Sequence, residues 1–197
     1  ELAGTGVTVT LIHPGPVDTG FFRTRGHRYE LRRPRPVPAE RVAEAVVKAA
    51  KYPPLGGRSW GGYTAFQTYS MSPADYLQKA NTITQVFAMI ETQAALDAVE
   101  EIAAVPGLDG LFVGPSDLSI ALSKGSGIDK TAKHTLDAMK LIAAAAQKNN
   151  LVAGAFAGSA DVIKTYAAMG YTFMAGAVDV DLLQAGAENL MKAVKGV

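Results

Sequence analysis

The chain has 197 residues, of which 48% are hydrophobic and 19% are charged, and its formal net charge at pH 7 is +1. These values are typical of a folded globular protein with a sizeable core, and they exclude a disordered chain or one attracted to nucleic acid by its bulk charge. No apolar run approaches the length of a membrane span, and the absence of cysteine excludes disulfides and favours a cytoplasmic setting.

The N-terminal fifty residues predict one strand, one basic stretch and one helix. The strand covers residues 7–12 and ends at His13-Pro14-Gly15-Pro16. The basic stretch contains Arg23, Arg25, Arg28, Arg32, Arg33 and Arg35. A phosphate or nucleic-acid patch is one interpretation, but no aromatic stacking platform accompanies the arginines, so a solvated loop is favoured.

The predicted helix at residues 38–51 begins at a proline and is stopped by Pro53-Pro54. Its apolar face is predicted to consist of Val42, Ala45, Val46 and Ala49. A glycine-rich loop follows at residues 55–62.

Short apolar strands then alternate with longer helices. The predicted strands are 84–90, 109–113, 151–156 and 171–175, and the predicted helices are 73–80, 93–104, 129–148, 160–169 and 180–195. This order predicts an α/β fold, a parallel sheet with covering helices and about five strands when residues 7–12 are included. Chemistry in such folds lies at the carboxyl ends of the strands.

Two carboxylates follow two consecutive buried strands of this pattern. Glu91 is the first charged residue after the run at 86–90, and Asp117 comes just after Gly114-Pro115 ends the next run. Side chains at the same end of neighbouring parallel strands can reach one small ion, and carboxylate oxygens suit Mg²⁺ or Mn²⁺. Taken singly, Glu91 could instead be a helix N-terminal acid, and Asp117 could be a turn residue that caps a short helix.

Residues from about 52 to 197 resemble the HpcH/HpaI family of metal-dependent 2-oxo-acid aldolases. The resemblance is carried by Tyr52-Pro53-Pro54-Leu55-Gly56-Gly57-Arg58-Ser59, Ala80-Asn81, Met89-Ile90-Glu91-Thr92, Ala104-Val105-Pro106-Gly107-Leu108-Asp109-Gly110 and Gly114-Pro115-Ser116-Asp117-Leu118-Ser119. It implies strands five to eight of a TIM-like βα barrel. It also implies that Glu91 and Asp117 bind the divalent metal and that Ser116, through its backbone N–H, binds the substrate carboxylate together with Asp117. The implied reaction is reversible carbon–carbon cleavage of a 2-oxo acid through a metal-stabilised enolate.

Residues 1–52 are similar to a different family, since they resemble the C-terminal part of a short-chain dehydrogenase/reductase. The residues that carry this similarity are the strand with His13-Pro14-Gly15-Pro16-Val17-Asp18-Thr19 and the helix start Val37-Pro38-Ala39-Glu40-Arg41-Val42-Ala43. Lys48-Ala49-Ala50-Lys51-Tyr52-Pro53 fits both families. We therefore expect a Rossmann-type strand and helix at 1–52 joined to an aldolase-like half barrel at 53–197, in a chimera or, since residue 1 is Glu, a fragment.

Neither resemblance brings a complete active site. No residue matches the histidine and arginine that the aldolase family places in its first half, and Met89 replaces its frequent glutamine, so the catalytic residues stay unidentified. No glycine-rich phosphate loop and no Tyr-x-x-x-Lys pair supports a nicotinamide cofactor. The leading hypothesis is a weak or inactive lyase that takes a small 2-oxo acid. The alternatives are a non-catalytic chimeric or truncated protein with relic sites and, behind it, an NAD(P)-dependent oxidoreductase fragment.

Other polar residues have structural interpretations. His13, His27 and His134 are poor substitutes for a catalytic histidine, and His134 is expected on a helix surface. Asp179 and Asp181 are expected to cap the last helix, and Gly158-Ser159 to form a turn and cap. Because a half barrel leaves strand edges unpaired, we expect a homo-oligomer, with no nucleic-acid or membrane partner.

Overall fold

The structure is a computed structural model that describes residues 38–196 of the chain. Its sheet has four parallel strands in the order β1 (Phe87–Ile90), β2 (Gly110–Val113), β3 (Val152–Phe156) and β4 (Phe173–Ala175). The predicted α/β fold with a parallel sheet is confirmed. The predicted strand at 7–12, the arginine-rich stretch, His13 and His27 lie outside the described residues.

Nine helices accompany this sheet within residues 38–196. They are α1 (Ala39–Ala50), α2 (Tyr63–Thr68), α3 (Pro73–Ile83), α4 (Gln93–Asp97), α5 (Val99–Ala103), α6 (Pro115–Leu122), α7 (Lys133–Lys148), α8 (Ala160–Ala167) and α9 (Asp179–Lys195). In this part of the chain, none is long and apolar enough to cross a bilayer.

One face of the sheet is buried beneath helices. Leu111 and Val113 of β2 are fully buried, and they belong to one cluster with Ile90, Met139 and Ile142. The register pairs Leu111 with Ala88 and Ala153, and it pairs Val113 with Ile90 and Ala155. Leu111 therefore lies between two alanines and Val113 between an isoleucine and an alanine, and α7 packs over this face to form the core.

The opposite face of the sheet carries an aromatic layer. The Phe87 and Phe173 rings lie 5.2 Å apart, and the Phe112 and Phe173 rings lie 6.1 Å apart. Glycines provide the room for these rings, because a Cβ on Gly110 would overlap the Phe87 ring and one on Gly154 would lie 2.8 Å from Phe112 Cδ2. Met89, which is 54% exposed, occupies the same face one step nearer the carboxyl end of β1.

Helix α1 buries a different stripe from the one that we predicted. Ala43 and Val47 are buried, whereas Ala45 and Ala49 are exposed and Val42 and Val46 are only partly covered. The contact with the segment after α5 sets this rotation: Val47 Cγ1 lies 2.7 Å from the position of a Cβ on Gly107, whose φ is +91°. Because glycine alone leaves that space free, Val47 rather than Val46 turns inward.

Several predicted boundaries change for local reasons. The single helix predicted at 93–104 is broken at Ala98, which has φ −104° and ψ 17°. The helix predicted at 129–148 begins at Lys133, since the Asp129 carboxylate accepts hydrogen bonds from the backbone N and the Oγ1 of Thr131, both at 2.8 Å, and forms a turn. Helices α2 and α6 were not predicted.

A buried lysine joins the loops at the amino ends of β1 and β2. Lys51 is 6% exposed, and its Nζ donates to the backbone oxygens of Asn81, at 2.9 Å, and Thr84, at 2.5 Å. The same nitrogen lies 3.7 Å from Asp109 Oδ2, which accepts a hydrogen bond from the Val86 backbone N. This network fixes the starts of both strands and so their register, at the end of the sheet away from Glu91 and Asp117.

Candidate functional site

Glu91 lies immediately after the last residue of β1. The next residue, Thr92, is the N-cap of α4, and its side chain accepts a hydrogen bond from the Ala95 backbone N at 3.1 Å. Helix α4 has no acidic residue in its first turn. Glu91 is therefore not a helix N-terminal acid, and its carboxylate is half-buried at the carboxyl end of the sheet.

Asp117 lies in the first turn of α6, the helix that follows β2 directly. The N-cap of α6 is Gly114, which makes no side-chain capping bond, and Pro115 fits the first turn because that position needs no N–H donor. Asp117 therefore does not cap the helix. Its exposed carboxylate lies at the end where the helix dipole favours negative charge.

Gly114 is the point on which the two carboxylates converge. A Cβ on Gly114 would lie 2.8 Å from Glu91 Oε2 and 3.7 Å from Asp117 Oδ2. The two oxygens can be no farther apart than the sum of these distances. Any side chain at position 114 would enter the space beside both of them, so the glycine leaves open a small cradle lined by carboxylate oxygen.

The two carboxylates repel one another. Partial burial raises the pKa of Glu91 above its usual 4.5, and the negative charge of Asp117 raises it further. Within residues 38–196, neither carboxylate pairs with a basic side chain or accepts a hydrogen bond. A cation in the cradle would remove this repulsion.

The chemistry of these donors fits a hard divalent cation. Two carboxylates can supply part of an oxygen shell, and Mg²⁺ or Mn²⁺ commonly completes such a shell with water and substrate oxygens. No group of three or more Asp, Glu, His or Cys side chains in residues 38–196 forms a larger ligand set. The remaining ligands would therefore come from other donors.

Ser116 lies next to this pair, at the second position of α6. The first N–H groups of a helix have no partner within the helix, so the backbone N–H groups of Ser116 and Asp117 are directed out of its N-terminus. The carbonyl of Ser116 accepts a 2.7 Å hydrogen bond from Ser119 Oγ, and Ser119 is buried. This bond holds the first turn of α6 in place. The role of Ser116 in substrate binding stays a prediction.

The remaining polar residues of the sequence pattern lie elsewhere. His134 is exposed on α7, as expected. Ser159 is the N-cap of α8 as predicted, but the N-cap of α9 is Val178, so Asp179 and Asp181 lie within the first turn and do not cap it. The Asp179 carboxylate accepts a hydrogen bond from its neighbour's N–H instead.

Comparison with known proteins identifies the family. The model of the HpcH/HpaI aldolase/citrate lyase family matches residues 24–185. The chain belongs to this family. The match begins at residue 24, within residues 1–52, for which we expected a dehydrogenase-like unit, so that expectation and the family match overlap between residues 24 and 52.

Curated relatives of the chain are named as aldolases. It is 37% identical over 155 residues to the 2-dehydro-3,6-dideoxy-6-sulfogluconate aldolase of Pseudomonas putida, covering 78% of this chain and 59% of that protein. It is 34% identical over 155 residues to the hydroxypyruvate/pyruvate aldolase of Deinococcus radiodurans, covering 78% of this chain and 54% of that protein. The chain thus spans less than two thirds of the length of these relatives.

A solved structure supports the fold. An HpcH/HpaI aldolase/citrate lyase family protein from Burkholderia cenocepacia superposes with a TM-score of 0.67 at 30% identity, over 79% of this chain and 61% of that one. The sheet described above therefore has the arrangement of part of an HpcH/HpaI aldolase fold.

Proposed function

We propose that the chain is a divalent-cation-dependent lyase that breaks or forms a carbon–carbon bond beside the keto group of a 2-oxo acid such as pyruvate. The observation that carries this proposal is the convergence of the Glu91 and Asp117 oxygens on the space beside Gly114, with no basic partner in the described residues. Membership of the HpcH/HpaI family supports it, and so do the aldolase names of the relatives.

In this proposal Glu91 and Asp117 hold Mg²⁺ or Mn²⁺. When bound, the cation would polarise the keto group and stabilise the negative charge that develops as the carbon–carbon bond breaks. The backbone N–H groups of Ser116 and Asp117 would orient the substrate carboxylate at the N-terminus of α6. The aromatic layer of the sheet lies on the same face as Glu91, nearer the amino ends of the strands, and would exclude water from that side of the site.

We expect turnover to be weak. No residue of the chain matches the family's histidine and arginine, Met89 replaces a polar residue, and His134 lies exposed on α7. General acid–base help and substrate orientation each commonly contribute orders of magnitude to a rate. If the chain binds the cation but transfers protons inefficiently, it should catalyse mainly reactions that need only chelation of the 2-oxo acid by the cation.

Oxaloacetate decarboxylation tests this proposal because it needs chelation of a 2-oxo acid and little else. With Mn²⁺ we expect slow decarboxylation by the wild-type chain, reduced to the level of free Mn²⁺ in Asp117→Asn. Aldol cleavage to pyruvate should stay well below an ordinary turnover of about 10 s⁻¹. Equal decarboxylation rates for the wild-type chain and Asp117→Asn would contradict the assignment of the metal site to Asp117. Aldol cleavage at the ordinary turnover would contradict the expectation that the chain lacks part of the catalytic machinery.

The second candidate function is a non-catalytic protein with relic sites. This candidate is supported by the same lack of matching catalytic residues and by the dehydrogenase-like motifs at 7–20. On the basis of these motifs we also keep the proposal that the chain is a chimera of two units, 1–52 and 53–197. Absence of both Mn²⁺ binding and decarboxylation would favour this candidate. Binding of NADH would instead favour the remote alternative, an oxidoreductase fragment.

The expected cytoplasmic setting of the chain also stays a prediction.

We also propose that the chain assembles with further copies of itself. Helix α9 has no buried residue, and Val180, Leu183, Leu190 and Val194 are each at least 65% exposed. With Ala187 they recur every three or four residues, the spacing by which a helix packs along one partner surface. A second copy offers the matching helix, and burying both stripes would remove an exposed apolar surface from water.

Light scattering tests the assembly. We expect the wild-type chain to exceed its 20.6 kDa monomer mass at micromolar concentration. Leu183→Glu combined with Leu190→Glu should shift it toward the monomer, whereas Leu141→Glu, at another exposed leucine, should not. A wild-type monomer, or equal behaviour of both variants, would contradict the role of α9.

A further inference from the structure

Lys130 places a cation at the same end of the sheet as the two carboxylates. It lies in the loop between α6 and α7, and its Nζ is 5.8 Å from the centroid of the Phe156 ring at the end of β3. The same nitrogen is 3.8 Å from the position of a Cβ on Gly158. Within residues 38–196 the half-buried Lys130 forms no ion pair with a carboxylate and donates no hydrogen bond from its ammonium group.

The register of the sheet relates this cation to the candidate metal site. Ile90 pairs with Val113, and Val113 pairs with Ala155, so the next residues along the three strands are Glu91, Gly114 and Phe156. These three residues form one row across β1, β2 and β3. Neighbouring strands are about 4.8 Å apart, so Phe156 lies roughly 10 Å from Glu91 across the sheet. A short linear molecule bound at Glu91 and Asp117 can therefore extend along the row toward Lys130.

Side-chain hydroxyl groups form hydrogen bonds with the backbone of Asp129 and Lys130. Ser119 Oγ accepts a hydrogen bond from the Asp129 N at 3.2 Å, and Thr135 Oγ1 donates to the Asp129 carbonyl at 3.0 Å. The Tyr166 hydroxyl donates to the Lys130 carbonyl at 3.5 Å. Ser119 and Thr135 are two of the three buried polar or charged residues in the described part of the chain. Buried hydroxyl groups are costly unless they are paired, and here that pairing fixes one loop.

The same network joins this loop to the N-terminus of α6. While Ser119 Oγ accepts from the Asp129 N, it donates to the carbonyl of Ser116 at 2.7 Å. The position of the Lys130 loop is therefore coupled directly to the turn that carries Ser116 and Asp117. Among the described residues Lys133 pairs with Asp137 and Lys148 with Glu100, whereas exposed lysines such as Lys124 pair with no acid. Lys130 differs from these exposed lysines because it is half-buried against an aromatic ring, and its charge has no acidic partner within residues 38–196.

We propose that Lys130 binds a second anionic group at the far end of the substrate, so that the site prefers 2-oxo acids with a distal negative charge over those without one. This inference rests on the proposed function, because the first carboxylate and the keto group of the substrate would be held at Glu91, Asp117 and Ser116. Lys130 would then determine specificity without taking part in bond cleavage. A primary ammonium group suits a distal carboxylate because it forms a charge-assisted hydrogen bond with it.

The test compares the binding of pyruvate and 2-oxoglutarate to the Mn²⁺-loaded chain by calorimetry. Both are 2-oxo acids, and only 2-oxoglutarate carries a distal carboxylate. Lys130→Met is expected to weaken 2-oxoglutarate binding about tenfold, as for loss of one hydrogen bond between charged groups, and to change pyruvate binding less than about twofold. Lys130→Arg should keep most of the preference. Lys124→Met removes the same charge from an exposed position in the same loop and should behave as wild type.

The outcomes separate this inference from the proposed function. If the wild-type chain binds pyruvate with Mn²⁺ and the preference for 2-oxoglutarate is the same in Lys130→Met, the role of Lys130 is overturned while the proposed function stands. If the wild-type chain shows no Mn²⁺-dependent pyruvate binding, the proposed function fails and this inference fails with it. An equal loss of preference in Lys124→Met would also overturn the inference, since overall charge would then explain the effect. Circular dichroism melting should be the same for all four proteins.

Discussion

Glu91→Gln is expected to lower the affinity of the chain for Mn²⁺ by more than about a hundredfold, since loss even of an outer partner of a metal ligand commonly lowers affinity ten- to a hundredfold. The substitution keeps the size of the side chain and removes its charge. It leaves Asp117 as the one carboxylate beside Gly114 among the described residues. Isothermal titration calorimetry with MnCl₂ measures the change.

Glu101→Gln is the matched control for this experiment. Glu101 is an exposed acid on α5, within the same βα unit, and it lies away from Gly114. Its neutralisation changes the net charge of the chain equally and should leave Mn²⁺ affinity within about twofold, since exposed charges are screened by solvent and salt. If Glu91→Gln and Glu101→Gln have the same affinity, the cation binds elsewhere.

The pH dependence of Mn²⁺ binding follows from the direction of the Glu91 shift. Burial and the charge of Asp117 raise the pKa of Glu91 above 4.5, and a protonated carboxyl group is a poor ligand. Affinity should therefore be fully present above the raised pKa and fall as the pH is lowered through it. In Glu91→Gln the residual affinity should lack this step, and titrations at several pH values compare the two proteins.

The proximity of Glu91 and Asp117 could be predicted from sequence because it depends on local patterns and one general rule. Each acid follows a short apolar run, and consecutive parallel strands end at the same edge of a sheet. The alternation of strands and helices likewise predicted the four strands of the described region. Boundaries were less accurate where a side chain competes with the backbone, as Asp129 does at the start of α7.

Other features depend on packing between distant residues and left little signal in the sequence. Gly114 was interpreted as a residue that ends a strand, whereas in the structure it also leaves a space beside Glu91 that a side chain would fill. Lys130 looks like an ordinary loop lysine, because the hydroxyls that hold its loop come from Ser119, Thr135 and Tyr166 on three different helices. The rotation of α1 depends in the same way on its contact with Gly107.

Gly114→Ala is expected to lower Mn²⁺ affinity by about tenfold or more while both carboxylates stay in the chain, as expected when the geometry around metal ligands is disturbed. The added Cβ would lie 2.8 Å from Glu91 Oε2 and 3.5 Å from Glu91 Cβ, so the Glu91 side chain must move away from the cradle. The φ of Gly114 is −90°, so it lies outside the left-handed region that favours glycine. Because the close contact is with the end of a flexible side chain, the fold should accommodate the substitution.

Stability and a second glycine separate this geometric effect from unfolding. Gly127→Ala is the control, since Gly127 lies in the loop after α6 and a Cβ there has no neighbour within 4 Å. Both variants should melt within a few degrees of the wild-type chain, a shift that corresponds to about 1 kcal/mol or less for a protein of this size. Wild-type Mn²⁺ affinity in Gly114→Ala would show that a cation does not need the space beside Gly114. A weakened affinity in Gly114→Ala but not in Gly127→Ala, with both folds intact, would show that cation binding depends on how β2 and α6 bring the two carboxylates together and not on their charge alone.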